Sequence, residues 1–130
     1  MKFLLDTDIS SYAIKGDRRV LAKMQQYLTQ WAISSVTYHE LVEGMLGTQN
    51  AKNEKLFAEF IEEVDVIDFC SADAMESGRL SWYLAKAGTP IGEYDTLIAG
   101  HALSLNLTLV TNNEKHFSRV PELRIANWMK

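Results

Sequence analysis

The sequence is poor in cysteine and proline, and it has no excess of positive charge. The single cysteine, Cys70, excludes an internal disulfide and a zinc site built on several thiolates. The two prolines, Pro90 and Pro121, both lie at expected element boundaries. The formal net charge is −4, so the chain as a whole lacks the positive charge typical of nucleic-acid-binding proteins. A nucleic-acid ligand would therefore need a local basic patch or a bound metal ion.

Long apolar runs are absent as well. The N-terminal apolar run ends at Asp6, and no later segment is long enough to span a bilayer. Together with the lone cysteine, this pattern predicts a cytoplasmic protein that makes no use of a membrane. At 130 residues with 47% hydrophobic content, we expect one domain covering residues 1–130.

The sequence does contain strand and helix patterns that alternate. Short β-rich runs predict strands at residues 2–5, 32–36, 64–69 and 107–111, with a weaker fifth at 123–126. Helical patterns lie between them, over residues 9–15, 37–45, 53–63, 72–87 and 94–104. This alternation predicts an α/β fold with a mostly parallel sheet and helices on both faces. In such sheets, ligands bind beyond the carboxyl ends of the strands.

Polar side chains collect at those expected strand ends. The residues after the first, second and fourth strands include Asp6, Thr7 and Asp8, then Thr37 and Glu40, then Thr111, Asn112 and Asn113. Asp95 opens the helix before the fourth strand, and its neighbours on the helix face, Ile98 and Ala99, are apolar, which predicts an inward-facing carboxylate. We expect Asp95 to converge with the acids of the strand ends. Buried carboxylates are costly unless they are paired or bind a cation.

Each of these residues also has a purely structural interpretation. Asp6 or Asp8 could cap a helix, Thr37 and Glu40 match a capping box, Asp95 suits a helix's first turn, and residues 111–113 could form an ordinary turn. A shared cation accounts for all of them at once, and clustered carboxylates favour Mg²⁺ or Mn²⁺. Such ions promote phosphodiester hydrolysis, in which Thr111 and Asn113 could hold a water or a phosphate oxygen.

Three segments carry a family resemblance. They are FLLDTDI (3–9), SSVTYHELVEG (34–44) and PIGEYDTLIAGHALSLNLTLVTNNEKHFSRVPELRIANW (90–128). In order and spacing they resemble PIN-domain ribonucleases, specifically the VapC toxins of VapBC toxin–antitoxin pairs, and the resemblance runs from end to end. It implies a three-layer α/β/α fold and metal-dependent endonucleolytic cleavage of RNA. It also implies a homodimer and inhibition by a VapB-type antitoxin in a larger hetero-oligomer.

The resemblance also assigns residues. By position, Asp6, Glu40 and Asp95 are its acidic metal-site residues, and Asn113 occupies the fourth position. Two departures matter: Asp8 stands where relatives usually have Asn, and Asn113 stands where many PIN domains have Asp. An asparagine at position 113 binds metal more weakly than an aspartate. Asp8 either replaces the negative charge that is missing there or only caps a helix. The C-terminal pattern resembles that of VapC toxins that cut the anticodon loop of initiator tRNA. Such cleavage would block translation.

Other features are open to two interpretations. His39, His101 and His116 lack metal-ligand spacing and are predicted not to be ligands, with His101 packed inside its helix. The basic residues are either solvated surface or an RNA-backbone patch: Lys15, Arg18, Arg19, Lys23, Lys86, Lys115 and Arg119. An apolar stripe is either core or a helix-binding groove: Leu41, Val42, Met45, Leu46, Leu56, Phe57, Phe60 and Ile61. By the same resemblance, Trp82 and Tyr83 would face a dimer partner.

Two other functions use the Asp6 and Asp8 pair. A phosphatase of the haloacid dehalogenase type would use Asp6 as nucleophile, but it needs a second acidic pair after a late strand, where this chain has Thr111-Asn112-Asn113. A phospho-acceptor receiver domain would bind Mg²⁺ through the pair, and it needs an acceptor aspartate at the end of the middle strand. Asp68 is the one candidate for that acceptor.

Overall fold

A five-stranded parallel sheet organises the chain, and the computed structural model describes all residues from 1 to 130. The strands are β1 (Phe3–Leu5), β2 (Trp31–Ser34), β3 (Val66–Ile67), β4 (Thr108–Val110) and β5 (Ile125–Ala126). The helices are α1 (Thr7–Ile14), α2 (Arg18–Gln26), α3 (Ser35–Thr48), α4 (Ala51–Glu63), α5 (Ser71–Lys86), α6 (Glu93–Leu105) and α7 (Glu114–Phe117). The spatial order is β3-β2-β1-β4-β5, and every neighbouring pair is parallel. The predicted three-layer α/β/α fold is confirmed.

Alternation along β1 divides the core between the two faces of the sheet. Phe3 and Leu5 belong to one buried cluster, with Ile9, Val20 and Leu41 from the helices α1, α2 and α3. Leu4 points to the opposite cluster, which is built mainly from α5, α6 and β4. Because β1 is central and covered on both faces, its carboxyl end is held rigidly from all sides.

Each predicted strand and helix is present and two further helices occur, but many boundaries differ; the third strand covers only Val66–Ile67 and not 64–69. The second strand was expected to run to Val36, but α3 already begins at Ser35 because the Ser34 hydroxyl caps it by accepting from the Val36 amide. The helix α2 was not predicted, and neither was the four-residue α7. No helix is both long and apolar enough to cross a membrane.

The sheet order removes the receiver interpretation. Receivers place their acceptor after the middle strand, but Asp68 follows β3, which is an edge strand, and Asp68 is largely exposed to solvent. The order also differs from the 2-1-3-4-5 order of receiver domains. The middle strand here is β1, and it ends directly before Asp6.

Candidate active site

Asp6 directly follows the central strand, where it caps a helix and also buries its carboxylate. It is the N-cap of α1, where its Oδ1 accepts from the Ile9 amide at 2.9 Å. Its side chain is almost fully buried, with 3% of the residue exposed. Burial raises the pKa of Asp6 to about 7, helped by the negative charges of Asp8 and Asp95 and opposed by the Thr111 hydroxyl and the Ile9 amide. The helix-cap interpretation is therefore correct but incomplete, because a cap alone does not require a buried carboxylate.

Glu40 reaches the same place from α3. The Thr7 hydroxyl donates to Glu40 Oε1 at 2.6 Å and also lies 3.1 Å from the Thr37 hydroxyl. Partial burial raises the pKa of Glu40, with further contributions from the charges of Asp95 and Asp8 and opposition from Thr7. The alternative interpretation of Thr37 and Glu40 as a capping box is wrong, because Ser34 caps α3 and Thr37 lies buried inside its first turn.

Asp95 approaches from the first turn of α6. Its helix-face neighbours Ile98 and Ala99 are fully buried, as expected, while the Asp95 side chain itself keeps 34% exposure and reaches the solvent edge of the cluster. Burial and the charge of Asp8 raise the pKa of Asp95, and His116 opposes them. The nearest atoms of that pair, His116 Nδ1 and Asp95 Oδ2, are 3.8 Å apart.

The four carboxylates thus form one electrostatic cluster, in which the pKa of Asp6, Glu40 and Asp95 is raised and Asp8 contributes to all three shifts. No three acidic, histidine or cysteine side chains stand at ligating distances around one point. The cluster nevertheless suits a divalent cation, because its mutual repulsion would be relieved by one and all its donors are hard oxygens. Asp6, Glu40 and Asp95 are the residues that could hold the ion, with Asp8 at the exposed rim.

Asn113, the fourth predicted site residue, lies in a turn at the start of α7. The Thr111 hydroxyl, fully buried, accepts from the Asn113 backbone amide at 2.9 Å, so residues 111–113 form the turn that was one of their two interpretations. The Asn113 side chain does not cap α7 and stays half-buried. Asn127 donates to Asn112 and to Glu114, which fixes this turn against the C-terminal segment.

A buried polar network centres on His101, the one member whose packing the sequence predicts. His101, fully buried, places Nδ1 2.9 Å from the Ser34 hydroxyl and Nε2 3.4 Å from Asp73 Oδ2. Burial lowers the pKa of His101, although Asp73 opposes the shift, so its ring is neutral. The Ser34 hydroxyl is completely buried and caps α3, which leaves it inaccessible as a nucleophile. The network joins α5, α6 and the start of α3, the helices that carry or support Asp95 and Glu40.

The apolar stripe divides between core and surface. Leu41 is buried, whereas α4 has no fully buried residue at all and exposes part of Leu56 and Phe57. A cleft of about 230 Å³ lies between α1, α3 and α4. Its lining includes Thr7, Lys15, Glu40, Leu41, Met45, Leu56 and Phe57. The cleft therefore opens directly beside the acidic cluster.

The comparisons with known proteins agree with this geometry. The family model of the PIN domain matches residues 3–123 of this chain. The chain belongs to the PIN domain family. It is 35% identical to the tRNA(fMet)-specific endonuclease VapC of Salmonella typhimurium and 38% identical to that of Shigella flexneri, each over 98% of both chains. Within the PIN family it therefore belongs to the VapC group. The structure of VapBC2 from Rickettsia felis, bound to a DNA fragment from its promoter, superposes with a TM-score of 0.90 at 35% identity, covering 98% of this chain and 99% of that one.

Proposed function

We propose that this PIN domain is a metal-dependent endoribonuclease that acts as the toxin of a toxin–antitoxin pair. The observation that carries the proposal is the cluster of Asp6, Glu40 and Asp95, which come from three separate parts of the fold; burial raises the pKa of each, and the charges of neighbouring acids add to the shift. A bound Mg²⁺ or Mn²⁺ would supply an activated water and neutralise charge on the leaving oxygen. The helix cap at Asp6 does not account for the whole group, because repulsion between clustered acids destabilises the fold in the absence of a cation.

The residues of the chain then have separate roles. Asp6, Glu40 and Asp95 would hold the ion, and the Thr7 hydroxyl orients the Glu40 carboxylate by donating to it. The half-buried Asn113 amide is available to hold a phosphate oxygen, while the Thr111 hydroxyl fixes the turn that presents it. Asp8 adds charge at the exposed rim of the cluster.

Initiator tRNA is the substrate that we propose, with cleavage in its anticodon loop and arrest of translation as the consequence. The support is the name of the full-length Salmonella and Shigella relatives, which are tRNA(fMet)-specific endonucleases. Purified protein should cleave initiator tRNA in preference to the elongator methionine tRNA. Equal cleavage of the two would remove the substrate assignment but not the nuclease.

A VapB-type antitoxin is the partner that we propose for the cleft between α1, α3 and α4. The solved complexes from Rickettsia felis and Salmonella typhimurium are VapBC assemblies. The half-buried apolar side chains of α4 supply a surface for an amphipathic segment, and Lys15 and Glu40 at the cleft supply polar contacts. A segment bound there would also cover Glu40, which explains how binding would inhibit cleavage.

A homodimer through α5 completes the proposed assembly. Met75, Trp82 and Tyr83 are 60%, 67% and 48% exposed, and they line one groove together with Gly78. A Cβ added at Gly78 would meet nothing, so a second helix could approach closely there. Two copies of this face could pack antiparallel in a symmetric interface, and a larger complex with the antitoxin could be built on that dimer.

Asp95→Asn tests the nuclease proposal. Cleavage in Mg²⁺ should fall by a factor on the order of 100 or more, since loss of even an outer partner of a metal ligand costs 10–100-fold. Mg²⁺ should raise the melting temperature of the wild type and should do so much less in the variant, because a ligand that binds only the folded state stabilises it.

Glu93→Gln is the matched control for this test. Glu93 lies in the same first turn of α6 but is exposed, so its loss removes the same charge near the helix N-terminus. The control should cleave RNA and respond to Mg²⁺ like the wild type. An Asp95→Asn protein that stays active, or cleavage that survives excess EDTA, would overturn the metal mechanism.

A further inference from the structure

Two aromatic side chains flank the acidic cluster without belonging to it. Tyr94 immediately precedes Asp95 on α6, and His39 immediately precedes Glu40 on α3. Tyr94 is 40% exposed and His39 is exposed. Neither ring is part of the two buried apolar clusters, so neither is needed to fill the core.

The two rings are held against each other. Their centroids are 5.6 Å apart with an interplanar angle of 38°, and His39 Nε2 lies 3.2 Å from the Tyr94 hydroxyl. This contact joins the edges of the rings through their polar atoms. It limits the motion of both side chains while leaving aromatic surface in solvent, which lowers the entropy that a stacking ligand would have to remove.

The charge of the protein favours a ligand contact of this kind. With a net charge of −4, the chain as a whole does not attract RNA electrostatically. Several of its cations are already engaged: Arg19 pairs with Asp17, Lys130 with Glu114, and Arg124 donates to Asn106. Base stacking on aromatic rings depends little on net charge and supplies a large share of affinity in proteins that bind unpaired nucleotides.

We propose that Tyr94 and His39 form a stacking platform for one unpaired nucleobase next to the bond that is cut. The proposal rests on the ribonuclease function argued above and identifies a specificity-determining contact for it. A base stacked on this pair would bring a neighbouring phosphate towards Glu40 and Asp95, because the two rings and the two acids lie together near the starts of α3 and α6. It also requires that the substrate be unpaired at this nucleotide.

The test uses the full-length protein and a hairpin RNA that the wild type cleaves in Mg²⁺. Tyr94→Ala should raise KM between about fivefold and about 150-fold, the range that corresponds to one lost stacked base, with a smaller effect on kcat. Tyr94→Phe keeps the ring and should restore most of the affinity. Leu105→Ala is the matched control, because Leu105 is similarly exposed, at 38%, at the opposite end of the same helix.

Abasic substitutions in the loop of the hairpin identify the stacked base. Removal of one particular base should raise KM for the wild type and abolish the further effect of Tyr94→Ala, because both changes remove the same contact. A Tyr94→Ala protein with the wild-type KM, or an effect that persists on every abasic RNA, overturns the platform. A wild type that neither binds nor cleaves any RNA overturns the proposed function instead, and the two failures are thus distinguishable.

Discussion

At the scale of single residues, Asp6 combines a structural role with an unfavourable buried charge. The same carboxylate caps α1 and lies almost completely buried among other acids. Its pKa is raised from 3.8 to about 7, so the folded protein holds a proton that the unfolded chain releases. Between about pH 4 and pH 7 the unfolded state binds fewer protons, and stability therefore decreases as the pH rises through this window. Above pH 7 this loss is complete.

Asp6→Asn should consequently stabilise the metal-free protein at pH 8. Asparagine is an equally good N-cap residue, so the contact with the Ile9 amide survives while the buried charge disappears. We expect a gain of about 2–4 kcal/mol in the free energy of unfolding at pH 8 and almost none at pH 4. Urea unfolding of both proteins in EDTA across this range measures the difference. A variant that is less stable than the wild type at pH 8 would show that the Asp6 charge is compensated within the chain.

The histidines show what sequence spacing can and cannot decide at this scale. The prediction that His101 packs inside its helix is confirmed, but its contacts to Ser34 and Asp73 could not be foreseen. Those residues lie 67 and 28 positions away along the chain, and no local pattern connects them. His116 approaches Asp95 through α7, a helix of four residues that is too short to leave a periodic signal.

At the scale of elements, the contact between α5 and α6 sets the position of Asp95. The two helices approach closely at Gly100, where an added Cβ would lie 2.5 Å from the Ser77 Cβ and 2.6 Å from its Cα. Because one of those atoms belongs to the backbone, a side chain at this position can be accommodated only if the helices separate. The glycine in this buried helix is therefore explained by close packing.

Gly100→Ala should destabilise the protein by about 1–3 kcal/mol, the usual cost of overpacking, even though alanine is the better helix former by about 1 kcal/mol. The expected shift of α6 should also weaken the Mg²⁺-dependent rise in melting temperature, because Asp95 lies on the same helix. Thermal unfolding with and without Mg²⁺ measures both effects.

Gly47→Ala provides the comparison for this variant. Gly47 is also inside a helix, α3, but an added Cβ there would meet nothing within 4 Å. This second variant should be as stable as the wild type or slightly more stable. If Gly100→Ala behaves in the same way, the close approach of α5 and α6 does not constrain the site.

Periodicity predicted most of the elements, and the exceptions have identifiable causes. The stretch from Ser34 to Thr37 offers several possible caps, and the one used, Ser34, also contacts His101, which lies far away in the sequence. The helix α2 is rich in charged residues and buries only Val20, so its sequence was interpreted as a basic surface segment. Asp17 caps that helix by accepting from two amides, and Val20 and Met24 pack into the same cluster at helical spacing, so two local signals could have revealed it.

At the scale of the whole molecule, the convergence of the acids follows from topology. All five strands are parallel, so Asp6 after β1 and the turn after β4 must lie at the same edge of the sheet. This much was predictable from alternation alone. The sheet order, with β1 in the centre, was not encoded in any local pattern, and it explains why the acid after β1 is the most deeply buried member of the cluster.

The distribution of charge over the whole molecule leads to the last prediction. The chain has 13 basic and 17 acidic residues, and Arg19 within the expected basic patch is already paired with Asp17. For single-stranded RNA, each neutralised phosphate contributes about −0.7 to the slope of log K against the logarithm of the salt concentration. We expect a slope no steeper than about −2, which corresponds to about three phosphate contacts.

The Asp95→Asn protein allows this slope to be measured without cleavage, by titrating a fluorescent hairpin RNA at several KCl concentrations in constant Mg²⁺. Adding Tyr94→Ala should weaken binding by a similar factor at every salt concentration and leave the slope unchanged, because stacking releases no counterions. Adding Lys15→Gln should make the slope shallower by about 0.7 if Lys15, which lines the cleft beside Glu40, contacts a phosphate. A slope of about −5 would instead mean that all seven residues of the basic patch bind phosphates, and electrostatic attraction would then replace stacking as the main source of affinity.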